Sequence, residues 1–257
     1  MSPAIRRSLV LVIAASGLVG CDELEGTGGI VNVFATHHAS PEDDLFPFRG
    51  EDDQPRVFEG EDGWQITLTE SYITISSVTL VSCGGAEHDL KMYWGPCPED
   101  LRTEDLQTLT VAGLKVPPGD YCNLEVEYAP YEMPVVSEDA ETRHDVPDNE
   151  EVDGVTVFLA GVAHRGEDSV PFTLKNGESF TVDLDLEGPD GPGAPMRVRP
   201  TENFPKELTV SKTYDRFFDG VDFTAFDEAG IEASLDEILA DQTRVASGLL
   251  PSPDAFD

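Results

Sequence analysis

Apolar side chains return at every second position along much of this chain, and that period constrains its fold more than any other feature. In residues 121–128, Cys122, Leu124, Val126 and Tyr128 point one way while Asn123, Glu125 and Glu127 point the other. This is the pattern of an antiparallel strand with one buried face. Phe180, Val182, Leu184 and Leu186 alternate with Asp183 and Asp185 in the same manner. Further strands are expected at 30–34, 64–69, 72–83, 108–114, 155–162, 170–174, 179–186 and 208–211. Within 72–83, Ile73 and Ile75 oppose Val78 and Leu80, and a β-bulge at Ser76-Ser77 would bring all four to one side. Pro117-Pro118-Gly119-Asp120 supplies a turn, and Asn176-Gly177 is expected to join 170–174 to 179–186 as a hairpin. One stripe at helical spacing, Ile231, Leu235, Ile238, Leu239 and Val245, closes the chain. The expectation is an all-β fold: an antiparallel β-sandwich, Ig-like or transthyretin-like in layout, with a C-terminal amphipathic helix.

The N-terminus stands outside that pattern. Arg6 and Arg7 precede an apolar stretch, 9–19, too short to span a bilayer comfortably. Leu18-Val19-Gly20-Cys21 then resembles a bacterial lipobox. We expect residues 1–20 to be a lipoprotein signal peptide, 21–29 to be a tether beginning at lipidated Cys21, and 30–257 to form a single domain. That domain would lie in the bacterial cell envelope, held to the membrane by lipid on its periplasmic or cell-surface side.

Charge narrows the choice of partners. Lys and Arg total 16 against 51 Asp and Glu, a formal net charge of -35. A surface this acidic repels a phosphate backbone, so nucleic acid is excluded. The acids gather in Glu42-Asp43-Asp44, Glu51-Asp52-Asp53 and the stretch 138–151, which read as solvated loops. The segment 183–191 lacks the ligand and glycine spacing of a calcium loop. There is no phosphate-binding glycine loop after a strand, no Gly-x-Ser-x-Gly elbow and no His-Glu-x-x-His pair, and we expect no enzyme.

Histidine carries the remaining chemistry. Neutral imidazole suits copper, zinc and iron, and strand ends and loops of a sandwich can gather distant ligands. Of the five histidines, His37 and His38 close the first strand, His88 lies beyond the strand at 72–83, and His164 ends the one at 155–162, while His144 sits in the acidic stretch. Adjacent residues of a strand face opposite ways, so only one of His37 and His38 would ligate. After Cys21 three cysteines remain, and three pairings are open. Neighbouring strand ends favour Cys83 with Cys122, while Cys97, in the rigid turn Trp94-Gly95-Pro96-Cys97-Pro98, is equally able to meet Cys83.

The run Gly63-Trp64-Gln65-Ile66-Thr67-Leu68, the strand reaching Val78-Thr79-Leu80, Pro118-Gly119-Asp120-Tyr121, the segment 157–172 and Phe218-Asp219-Gly220-Val221-Asp222-Phe223 together resemble copper-binding bacterial lipoproteins of the MbnP-like type and related lipoproteins of metal uptake. The resemblance spans most of 60–225 through short motifs. It implies a non-enzymatic β-sandwich holding a copper ion with histidines, here His88, His164 and one of His37 and His38, with Trp64 or Trp94 open to oxidation. The functional expectation is an exported lipoprotein that binds a transition metal, copper favoured, with zinc or iron open. The alternative is a metal-free envelope interaction module whose acidic surface contacts a protein or glycan partner.

Overall fold

The computed structural model describes residues 27–43, 45–47, 50–60, 63–133, 147–188, 194–201, 203–251 and 253. The expected signal peptide, Cys21, most of the tether, His144 and most of the acidic stretch lie outside the described residues. Fourteen strands follow one another among those described: β1 (Gly29–His38), β2 (Arg56–Glu59), β3 (Gln65–Ser82), β4 (Glu87–Asp89), β5 (Lys91–Met92), β6 (Cys97–Asp100), β7 (Leu109–Val116), β8 (Gly119–Tyr128), β9 (Val157–Arg165), β10 (Asp168–Asn176), β11 (Phe180–Asp185), β12 (Met196–Val198), β13 (Lys206–Thr213) and β14 (Thr243–Ser247). Helices α1 (Glu228–Glu232) and α2 (Leu235–Gln242) precede the last strand. None of the described helices is long and apolar enough to cross a membrane.

The strands make two sheets, as an all-β sandwich requires. One has the order β14-β13-β1-β7-β5, and the other runs β10-β9-β3-β8-β11, with β12 on β8 and with β2, β4 and β6 on β3. Strand β3 is the spine of the larger sheet. Where it has two partners at one residue they flank it on opposite edges: β2 and β9 at Ile66, β6 and β9 at Tyr72, β6 and β8 at Ile75, β4 and β8 at Leu80. So β9 and then β8 run along one edge, and β2, β6 and β4 along the other. The register slips between Ile75 and Ser77, which is the bulge the sequence calls for, and Ile73, Ile75, Val78 and Leu80 are all buried.

Three expectations are corrected. Asn176-Gly177 makes no hairpin, because β10 pairs with β9 while β11 pairs with β8, at the other end of the sheet. The tight return is instead at Gly166-Glu167, where Gly166 takes φ +64° and joins β9 to β10. Asn176 Oδ1 accepts the N–H of Glu178 at 2.7 Å, a local turn bond that does not dictate where the next strand goes. The C-terminal stripe is not one helix: Ile231 lies in α1, Leu235, Ile238 and Leu239 in α2, and Val245 in β14 opposite Val210. One strand pair also departs from the antiparallel rule, since β1 lies parallel to β13 with Val31 opposite Lys206 and His37 opposite Lys212.

The core fills the space between the sheets with Val31, Val33, Ile66, Leu68, Leu80, Leu124, Val126, Leu159, Leu208 and Val210, and Leu235 and Leu239 of α2 join it. Trp64 is buried there with its ring 5.5 Å from that of Phe223. Cys83 and Cys122 form the disulfide, with Cα atoms 4.9 Å apart, and Cys97 is a buried thiol.

Candidate functional site

Strand alternation aims three ionisable side chains into the sandwich. Leu208, Val210 and Lys212 share the inward face of β13, His37 sits opposite Lys212 on β1, and Glu99 points inward from β6 of the other sheet. Lys212 Nζ lies 2.5 Å from Glu99 Oε2, and His37 Nδ1 lies 3.1 Å from Glu99 Oε1. Burial alone would raise the Glu99 pKa, but Lys212 and His37 outweigh it and hold the carboxyl down at about 2. Burial likewise opposes the charge on Lys212, and Glu99 more than offsets it, so the ammonium pKa is raised. The aromatic ring of Tyr128 closes the other side, 5.8 Å from Nζ.

A second buried pair stands beside the first. Arg56 Nε is 3.1 Å from Asp105 Oδ1, and Tyr214 donates its hydroxyl to Asp105 Oδ2 at 3.0 Å. The carbonyl of Thr103 accepts from both Arg56 and His37 Nε2, which ties the two pairs together.

Above His37, Cys97 and Glu99 opens a pocket of about 510 Å3. Arg102 lines it, gripping Asp100 at 2.7 Å and donating to the Tyr72 hydroxyl at 2.8 Å. Burial, and then the Asp100 charge, push the Tyr72 pKa up to about 12. The charges inside the pocket are therefore matched, whereas Asp52, Asp53 and Asp148 at its rim face solvent.

The four candidate metal ligands have different fates. Both ring nitrogens of His37 face acceptor oxygens, Glu99 Oε1 and the Thr103 carbonyl, so both bonds are satisfied together only by the doubly protonated ring. A metal ion would have to displace one of them. His38 turns to the opposite face, as adjacent strand residues must, with its ring 4.5 Å from that of Phe46. Burial lowers its pKa against the pull of the Ala39 carbonyl and Asp215, and Nδ1 donates to that carbonyl at 2.8 Å. The neutral ring then keeps its lone pair on Nε2. His88 lies opposite Leu80 near one end of β3, half-buried against Tyr121, and His164 is exposed opposite Gln65 at the other end. Fifteen residues of strand separate those two positions, a contour of about 50 Å at the usual rise, and the structure does not bring them together. Among the described residues no three His, Cys, Asp or Glu side chains are grouped to hold a metal ion. Trp64 is buried beneath the Arg165 guanidinium at 4.4 Å, and Trp94 is partly exposed.

A surface feature is as pronounced as the buried one. Across the outward face of β4, β3, β8 and β11, one row reads Asp89, Thr79, Glu125, Asp183 and the next reads Glu87, Val81, Asn123, Asp185, with Glu127 beside them. Among the described residues none of these six carboxylates has a basic ion-pair partner. Partial burial, followed by the charges of Asp183 and Glu87, raises the Glu125 pKa.

Sequence reasoning missed Glu99, Lys212, Arg56 and Asp105. Lys212 was signalled by its place on the apolar face of Leu208 and Val210, where a charged residue needs a buried partner. Glu99 carried no comparable signal, because it follows a Gly-Pro-Cys-Pro segment that reads as a turn.

No family model matches this chain, and no curated protein matches it. Among solved structures, MbnP from Methylosinus trichosporium aligns with a TM-score of 0.48 and 10% identity over 85% of this chain and 98% of that one. A likeness that distant carries no inference about a metal.

Proposed function

We propose that the protein is an exported, lipid-anchored binding module of the bacterial cell envelope that performs no catalysis, and that its partner is a basic protein segment docking on the face of β4, β3, β8 and β11. The observation that carries this reading is Glu125 directly opposite Asp183 in the β8–β11 register. Like charges so placed destabilise a sheet, and the acids around them add to the field instead of relieving it. A cationic segment laid across the rows would relieve that repulsion and be steered there by the charge. The test is titration of the mature protein with a lysine-rich peptide, compared with a Glu125→Lys/Asp183→Lys variant. We expect binding that weakens with salt and falls at least about tenfold in the variant; equal affinities would overturn the reading.

His38 favours a second reading, copper held through histidine. Its Nδ1–H is given to a backbone carbonyl, the arrangement that orients Nε2 of a ligating imidazole. Elemental analysis of protein isolated without metal-affinity steps, followed by copper titration of it and of His38→Ala, separates this reading from the first. Stoichiometric copper lost in the variant supports it, and a metal-free protein with no copper affinity rejects it.

A further inference from the structure

We infer that Lys212 and Glu99 are the two ends of an intramolecular amide cross-link that joins the sheets. Three observations carry the inference. The amine and the carboxyl are in contact, with Nζ 2.5 Å from Oε2, and both side chains are within 4% of complete burial. They come from β13 of one sheet and β6 of the other, so a bond between them would close the sandwich covalently. The remaining oxygen, Oε1, accepts from His37 Nδ1 at 3.1 Å, which leaves Oε2 as the oxygen facing the amine.

The chemistry balances without an oxidant or other reagent. One proton passes from the Lys212 ammonium to Glu99 Oε2, converting the ion pair into an amine and a carboxylic acid. The nitrogen lone pair then attacks Cδ, and the His37 N–H stabilises the negative charge that develops on Oε1, as an oxyanion donor does. A second proton moves from the nitrogen to Oε2, the Cδ–Oε2 bond breaks, and Oε2 departs as water. The products are an amide whose carbonyl is Oε1 and one water molecule. His37 ends in the protonation state in which it began.

The opening proton transfer is uphill, because the contact holds Glu99 below and Lys212 above its ordinary pKa, which makes the condensation slow. Completing it removes two charges from a buried site, where each is costly to keep. Condensation abolishes both charges and leaves a neutral amide whose carbonyl already has a donor in His37. Tyr128, its ring 5.8 Å from Nζ, closes one side of the pair, and the pocket above Glu99 gives the released water a way out on the other. Fixed juxtaposition of amine and carboxyl supplies the effective concentration that makes an otherwise slow condensation accessible. His37 acts here as a positioning and oxyanion-stabilising residue.

Peptide mapping of the folded, full-length protein tests the inference directly. Digestion and tandem mass spectrometry should yield a branched peptide containing Lys212 and Glu99, lighter than the sum of its two arms by one water. Lys212→Arg keeps a cation beside Glu99 but removes the amine nucleophile, and its map should contain the two arms as separate peptides. In His37→Gln the branched fraction should form at least about tenfold more slowly, since loss of an oxyanion donor slows acyl transfer by that much or more. Should a variant fail to fold, the wild-type map decides alone. Recovery of only linear peptides with unmodified Lys212 and Glu99 from folded wild-type protein, fresh and aged, overturns the proposal. Because the map involves no partner or metal, its failure leaves the binding readings untouched.

Discussion

At the residue scale the molecule is organised around charges that a sandwich interior should not contain. Arg56 and Asp105 have side chains 0% and 3% exposed, and removing one member of such a pair strands the other. Arg56→Ala is therefore expected to destabilise by about 3–5 kcal/mol in urea unfolding. Gly50 belongs to the same device, since a Cβ there would meet the Arg56 guanidinium; Gly50→Val should move the unfolding midpoint in the same direction. Glu99 gives a pH dependence whose sign follows from its depressed pKa. A carboxyl held at about 2 against an ordinary 4.5 contributes stability that is complete above pH 4.5 and is lost as pH falls towards 2. Protein whose peptide map is linear should show that acid component in its unfolding, and cross-linked protein should lack it, because the amide does not titrate.

At the element scale, strands were legible in the sequence wherever the period of two ran for at least four positions. The segments 121–128, 155–162 and 179–186 sit within a few residues of β8, β9 and β11. Short edge strands were not legible: β2, β4, β5, β6 and β12 have at most four residues each, too few for any period to declare itself. The stripe from Ile231 to Val245 misled for a different reason. Tertiary pairing with Val210 draws Val245 into a strand, and the helical part is split between α1, which holds Ile231, and α2. Partners were harder to read than elements, because a turn signal such as Asn176-Gly177 reports local backbone and nothing about which sheet edge is vacant. The same blindness hid Glu99 and Lys212, which meet across the sandwich 113 residues apart. The edge strand β10 shows how the vacancy was filled, with Glu232 of α1 accepting the Lys175 N–H at 2.8 Å and covering an edge that would otherwise invite pairing. Two changes test the elements. Gly161→Ala would set a Cβ 2.2 Å from the Thr67 carbonyl oxygen, so the β9–β3 register must shift and the melting temperature should fall. Replacing Cys83 and Cys122 by Ser opens a loop of 39 residues, at an expected cost of about 4 kcal/mol.

For the molecule as a whole, charge dominates. A net charge of -35 on 257 residues stresses the compact state through self-repulsion. Screening should relieve it, so the melting temperature is expected to rise as sodium chloride is increased from low to physiological ionic strength and beyond. A melting temperature that is flat or falling with salt would mean the carboxylates are compensated in a way the ion pairs do not reveal. The same titration should weaken the proposed basic partner, giving opposite responses of stability and affinity to one variable.

The parallel pairing of β1 with β13 has a kinetic consequence. Contacts such as Ser40 with Asp215 join residues 175 apart, so the first strand to emerge from a ribosome or a secretion channel waits for almost the last before its sheet can close. Loop closure over that distance slows folding. If the chain is exported as proposed, such a delay would keep the polypeptide threadable until nearly all of it had passed through.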